Sequence, residues 1–231
     1  VYNDWQNTIN MNILFLKLMG LWPKNDENYK PGLYMVYGAF MVTLFVACHI
    51  FTQVINIYFV RDNLETVVAI VYIILLEIIG FSKALLVVTN MKKLKERVTI
   101  LKSNWLQERN QQQHILIEAS IKFWKNVYRM FLVITVSCAS FWVIYPFLSA
   151  SADEKRLPFL AWYPYDYNIS PLYEISFAYQ VVSTTYLTLL HFNFDNLLYA
   201  CNVYTKCQVD ILSDNLRNFT KISSDFKKGL I

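Results

Sequence analysis

The stretch Pro31–Val60, PGLYMVYGAFMVTLFVACHIFTQVINIYFV, runs thirty residues without an Asp, Glu, Lys or Arg. A helix needs about 20 apolar residues to cross the hydrocarbon core of a bilayer, so this stretch has length to spare. Met130–Ala152 is uncharged for another twenty-three residues. Across all 231 residues, 55% are hydrophobic and 16% charged, whereas a soluble domain is about 45–50% apolar and about 25% charged. That composition excludes a disordered chain, a disulfide-stapled secreted domain and an ordinary cytosolic enzyme. The net charge of +4 is small and dispersed, which gives no reason to expect nucleic acid as a partner.

Working outward from these two stretches predicts four spans, at 33–60, 64–90, 127–150 and 172–199. The second carries Glu65, Glu77 and Lys83, but it is otherwise nearly all apolar. Only Arg61–Asn63 separates it from the first, so it reads as the antiparallel partner of that span. The fourth starts after Pro171 and is uncharged from Ile175 to Phe194. The expected fold class is all-α, a polytopic membrane helical bundle.

Lys and Arg resist translocation, so their distribution sets the orientation. Three precede the first span (Lys17, Lys24, Lys30), eight lie between the second and third (Lys92, Lys93, Lys95, Arg97, Lys102, Arg109, Lys122, Lys125), and five come after Ala200 (Lys206, Arg217, Lys221, Lys227, Lys228). The other two loops hold only Arg61, Lys155 and Arg156. This bias places the N-terminal segment 1–32, the loop 91–126 and the segment 200–231 in the cytoplasm, with 151–171 outside, in a multi-pass protein of the cell membrane. The first residues are polar and do not form a signal peptide, and the chain starts at Val, which suggests a partial sequence.

The segments between spans are patterned as well. Met91, Leu94, Val98, Leu101 and Trp105, then Ile117, Ile121, Trp124 and Tyr128, recur at spacings of three and four, which extends the second and third spans as helices with a turn at Glu108–His114. Leu187, Leu190, Phe194, Leu197, Leu198, Cys201 and Tyr204 form a stripe that Val209, Leu212 and Leu216 carry past the membrane, and a stripe in water needs a partner. The helix through Ile13–Leu18, ending at Gly20 and Pro23, is too short to span and is expected at the membrane surface, with Trp5 and Trp22 at the interface. Leu157–Asn168, LPFLAWYPYDYN, is dense in aromatics and reads either as an interfacial belt or as a rigid lid over an opening.

No catalytic motif occurs, the three histidines are scattered, and neither the cysteines nor their neighbours make a metal-ligand set, so no enzyme, cofactor or metal is expected. Polarity inside the spans is more informative. Glu77 lies mid-span, where a carboxylate must face a wet cavity, find a partner or take up a proton. Ser137, Ser140, Phe141 and Tyr145 cluster on the third span, as do Tyr179, Ser183 and Tyr186 on the fourth. Serines there serve helix packing or contact a ligand. A mostly apolar cavity with a few hydroxyls and aromatics would suit a small volatile molecule.

GLWP (Gly20–Pro23), LPFLAWYP (Leu157–Pro164), SPLYEISFAYQ (Ser170–Gln180) and FDNLLYACNVYTKCQVDIL (Phe194–Leu212), in this order, resemble the insect odorant receptors. The resemblance implies a seven-span subunit of a tetrameric, odorant-gated cation channel that works with the odorant receptor co-receptor. Four of the seven spans are present in this sequence and the pore helix is not. It also implies an odorant site in the outer half of the bundle, which maps to Ile70, Tyr72 and Ile73, to Ser137, Ser140, Phe141, Ile144 and Tyr145, and to Tyr179, Val182 and Ser183. A gustatory receptor of the same superfamily ranks second. A transporter ranks third, because spans one and two share no pattern with spans three and four.

Overall fold

A computed structural model describes residues 2–23, 32–102, 111–149 and 155–228, and among them every regular element is a helix. Helix α1 spans Tyr2–Leu18. The first predicted crossing is built from α2 (Leu33–Val42), a π-helical turn (Thr43–Ala47) and α3 (Cys48–Val60). Beyond it come α4 (Leu64–Thr89), α5 (Met91–Lys102), α6 (Gln111–Ser149) and the 57-residue α7 (Leu172–Lys228). Helix α6 packs along α7, α3 along α4, and α1 against α7. We call the end of the bundle that carries residues 155–171 the aromatic end, and the end that carries α5 and the far half of α7 the basic end.

Among the described residues three helices are long and apolar enough to cross a membrane: Leu33–Val60, Leu64–Thr89 and Ile117–Leu148. Their outward faces expose Phe40, Phe51, Val68, Leu75, Val133 and Phe141, an apolar surface that only lipid or further helices can cover. The fourth expected crossing lies within α7 and is more polar. Its polar side chains Ser176, Gln180, Ser183, Asn193 and Asn196 are buried, so this helix turns its polarity inward.

Helix α4 breaks at Asn90 before α5 begins, whereas α6 continues without interruption from the extension into the span. Of the predicted turn Glu108–His114, residues 111–114 begin α6 and 108–110 lie outside the described residues. At the basic end Val87, Met91, Val98, Ile117, Ile121 and Trp124 pack with Leu190, Leu197, Ala200, Val203 and Cys207 into one core. Of the α7 stripe Leu187, Leu190 and Leu197 are buried and Phe194, Cys201 and Tyr204 half-buried, while Leu198, Val209, Leu212 and Leu216 are exposed.

Helix α1 buries Ile9, Ile13 and Leu16, with Met19, Leu21 and Trp22 beyond it. Its end illustrates how the GLWP motif works. Gly20 has a φ of +78°, and Gly38 of the first span approaches so closely that a Cβ on Gly20 would lie 2.5 Å from Gly38 Cα. The carbonyls left unpaired where a helix ends need donors. Here Tyr34 donates to Lys17 O at 2.9 Å, Tyr37 to Leu18 O at 2.6 Å and Tyr186 to Met19 O at 3.0 Å.

Candidate ligand-binding site

Two local features set the rotation of the helices around the site. Asn63 caps α4 by accepting from the Thr66 amide at 3.2 Å, which fixes where the helix starts. Tyr72, Ile73, Leu76, Glu77 and Gly80 then share one face by helical spacing. In the first span the π-helical turn adds a residue to the ladder and rotates α3 relative to α2, and Tyr179 Oη donates to Leu44 O of that turn at 2.8 Å. The result brings His49 and Gln53, four residues apart on α3, against Glu77 of α4.

These three side chains form a buried cluster, exposed by 0%, 1% and 5% respectively. Gln53 Nε2 donates to Glu77 Oε1 at 2.7 Å, and His49 Nδ1 lies 2.8 Å from the same oxygen. Isolating a carboxylate from water costs several kcal/mol, and donors must offset that. Both nitrogens converge on Oε1, and Gln53 Nε2 also lies 3.1 Å from His49 Nδ1. Glu77 Oε2 is equally buried and has no hydrogen-bond partner.

Glu77 also lines an open-sided cavity of about 460 Å3 between α4, α6, α7 and Phe159 of the aromatic loop, within the range of roughly 300–1,000 Å3 expected of small-molecule sites. From α6 the wall receives Phe131, Ile134, Thr135, Cys138, Ala139 and Trp142, a stripe at helical spacing. Helix α7 contributes Thr184, Leu187, Thr188, His191 and Phe192. At the base Lys83 joins α4 to α7, its Nζ lying 2.7 Å from Asp195 Oδ1 and 3.1 Å from His191 Nδ1. Gly80 permits this close approach: a Cβ there would lie 2.9 Å from His191 Nε2.

A second space of about 630 Å3 opens at the aromatic end, lined by Gln53, Asn56, Ile70, Tyr145, Lys155, Tyr167 and neighbours. Ile73, Trp142 and Phe159 line both spaces, so they form the partition between them. The Trp142 and Phe159 rings stack, with centroids 5.2 Å apart. Gln180 holds Phe159 from behind: the Phe159 amide donates to Gln180 Oε1 at 2.9 Å, and Gln180 Nε2 donates to Phe159 O at 3.0 Å. The loop is tied further by the Trp162 amide to Thr52 O at 3.0 Å and by Tyr165 Oη to Ser176 Oγ at 2.9 Å. Burial pushes the Tyr163 hydroxyl up to about 12, against the opposing pull of its hydrogen bond from Gln180.

The residues expected at a site from sequence distribute unevenly. Tyr72 and Ile73 line the inner cavity, while Ile70, Ile73 and Tyr145 line the outer space. Ser140 and Ile144 line a separate groove of about 380 Å3 between α6 and α7. There Ser140 Oγ donates to Val136 O at 2.8 Å. Tyr179 and Ser183 lie in the seam toward the first span, Ser183 being fully buried. Ser137, Phe141 and Val182 are exposed and line none of these three spaces. Trp142 rather than Phe141 is the aromatic that α6 turns to the cavity. His49, Gln53, Trp142, Phe159 and the threonines Thr184 and Thr188 were not expected at the site, although a His and a Gln four residues apart inside an uncharged span were a usable signal. Among the described residues no three His, Cys, Asp or Glu side chains come together as metal ligands.

The described helices thus form a bundle of the multi-pass membrane class, with an apolar cavity among them. The family model of the 7tm odorant receptors matches residues 63–229, and the chain belongs to that family. It is 23% identical over 210 residues to odorant receptor Or1 of Anopheles gambiae, covering 89% of this chain and 49% of that protein. It is 20% identical over 203 residues to odorant receptor 46a, isoform A, of Drosophila melanogaster, covering 87% and 52%. The chain thus spans about half the length of these relatives. The fold is similar to that of the olfactory receptor OR5 from Machilis hrabei. For the structure in complex with eugenol the TM-score is 0.72 at 16% identity, over 88% of this chain and 55% of that one. For a second structure of OR5 the TM-score is 0.73 at 17% identity, over 89% and 56%.

Proposed function

We propose that this chain supplies the ligand-binding helices of an odorant receptor subunit, and that a small volatile organic molecule occupies the cavity of about 460 Å3 between α4, α6 and α7. The observation that carries this reading is the cavity itself, walled by apolar and aromatic side chains with a few hydroxyls in a chain of this family. The outer space serves as a vestibule, and the Trp142–Phe159 pair is the partition a ligand passes.

In this reading the subunit works in the cell membrane as part of an odorant-gated cation channel, assembled with the odorant receptor co-receptor as a hetero-tetramer. The N-terminus and the basic end lie in the cytoplasm, and α7 makes the fourth crossing. The distribution of Lys and Arg supports that orientation, and the exposed Val209, Leu212 and Leu216 support a helical partner at the basic end. A ligand opens the channel only by the difference between its affinities for the open and closed arrangements.

The test is a panel of volatiles applied to the receptor expressed with the co-receptor, with ion flux as readout. Trp142→Ala should reorder the potencies of different odorants, because each loses different contacts, while Phe141→Ala leaves the order alone. A uniform loss for Trp142→Ala at normal surface level, or wild-type silence to every volatile, counts against the reading. A tag on the N-terminus that antibodies reach without permeabilisation would overturn the orientation.

A further inference from the structure

A serine or threonine inside a membrane helix commonly gives its hydroxyl proton to the carbonyl one turn back. Ser82, Ser140, Ser176, Thr184 and Thr185 all do so here, at 2.7–2.9 Å. Thr135 of α6 and Thr188 of α7 do not. Among the described residues neither hydroxyl has a hydrogen-bond partner.

These two hydroxyls are also within reach. Glu77 Oε2 is unpaired but sealed off, whereas Thr135 and Thr188 are only half-buried and their oxygens keep accessible surface. Both residues line the cavity, and both line the groove on the far side of the α6–α7 seam. Rotation about Cα–Cβ exchanges hydroxyl and methyl between staggered wells, so the oxygen turns to the cavity without backbone movement. Their neighbours in the wall, Ile134, Ala139, Leu187 and Phe192, are apolar. Trp142, at the aromatic end, is seven residues from Thr135, or about 10 Å along the helix. That distance suits a small molecule with its apolar body against Trp142 and Phe159 and one polar group at the seam.

Resting on the receptor reading above, we propose that Thr135 and Thr188 are the polar contact of the cavity, and that its ligands are apolar volatiles carrying one oxygen function, a carbonyl or a hydroxyl, preferred over hydrocarbons of the same shape. A threonine hydroxyl both donates and accepts. The pair therefore serves a carbonyl as two donors, or an alcohol as one donor and one acceptor. A hydrocarbon leaves both hydroxyls unpaired, and an unpaired polar group penalises an occupant that cannot pair with it.

The test uses pairs in which the oxygen function is replaced by carbon: acetophenone against isopropenylbenzene, benzyl alcohol against ethylbenzene, and octanol against nonane. Any other oxygenated volatile that activates the receptor is paired by the same replacement. In the receptor expressed with its co-receptor, and at equal concentration in the membrane, the oxygenated member should be at least about fivefold more potent, the discrimination expected of one neutral hydrogen bond. Thr135→Val and Thr188→Val put a methyl where the hydroxyl was, and at least one of them should lower the ratio about fivefold. Thr135→Ser and Thr188→Ser keep the hydroxyl and should retain the ratio. A merely structural role would lower both members of a pair together.

Equal potencies in the wild type, a ratio unmoved in both valine variants at normal surface level, or a ratio shifted as far by serine as by valine would each overturn the proposal. So would a receptor activated only by volatiles without oxygen. Tyr72 carries the hydroxyl at the aromatic end of the cavity, and a ratio that collapses in Tyr72→Phe but not in the valine variants would move the contact there and overturn it as well. Where both valine variants are retained inside the cell, the wild-type ratio decides. Silence of the wild type to every volatile is a different failure and strikes the receptor reading instead.

Discussion

Replacing Gly20 by Ala should be among the most damaging single-methyl changes in this chain. At a φ of +78° a side chain costs about 1–2 kcal/mol relative to Gly. The added Cβ would lie 2.5 Å from Gly38 Cα and 3.0 Å from Gly38 N. Both atoms are backbone of the first span, so no rotamer change relieves the overlap, and such overpacking costs about 1–3 kcal/mol. Lifting the end of α1 away from Gly38 would instead stretch the bonds from Tyr34, Tyr37 and Tyr186 to the α1 carbonyls, each contributing about 1 kcal/mol. The total is about 2–5 kcal/mol, which for a chain of this size lowers the melting temperature by roughly 10 °C. The assay is the fraction of detergent-solubilised receptor that stays monodisperse after heating. Gly20→Asn separates the two causes, because Asn tolerates a positive φ but brings the same Cβ. It should be nearly as harmful as Ala. An Asn variant as stable as the wild type would refute the contact argument, and an Ala variant as stable as the wild type would refute both.

Gln180→Leu removes both partners of the Phe159 backbone and should cost about 2–4 kcal/mol locally; faster hydrogen exchange at the Phe159 amide measures it, and unchanged exchange would show that stacking on Trp142 suffices. Tyr163, whose hydroxyl is pushed up to about 12 by burial, holds its proton in the folded loop at pH values where the unfolded chain, at about 10, has lost it. Its contribution is therefore complete below about pH 10 and is lost as pH rises toward 12. Tyr163→Phe should flatten the fall in stability over that window, and an identical fall in the variant would assign the titration elsewhere.

The membrane helices were legible because uncharged length is a signal that each segment carries by itself, as Pro31–Val60 shows. The apolar rhythm from Met91 to Tyr128 likewise announced helices beyond the span, and Met91, Val98, Ile117 and Trp124 are indeed in the shared core. What a sequence does not carry is the rotation of one helix against another. Phe141 and Trp142 differ by about 100° around α6, and only packing against α7 and Phe159 decides that Trp142 meets the cavity. The π-helical turn Thr43–Ala47 has no pattern that announces it, yet it sets the face on which His49 and Gln53 lie. Glu77 stood out as a mid-span carboxylate, while its partners lie 28 and 24 residues earlier, a separation that no local periodicity links.

The central claim, that a small organic ligand occupies the cavity between α4, α6 and α7, is tested most directly at Cys138. This thiol lines the cavity, whereas Cys48 is exposed on the first span and lines neither the cavity nor the vestibule. A lipid-permeable maleimide should modify both in receptor-containing membranes, with the site of addition read by peptide mass spectrometry. A saturating dose of the most potent volatile from the panel should slow modification of Cys138 several-fold and leave Cys48 unchanged. Equal rates at Cys138 with and without an activating odorant would place the ligand elsewhere and contradict the account.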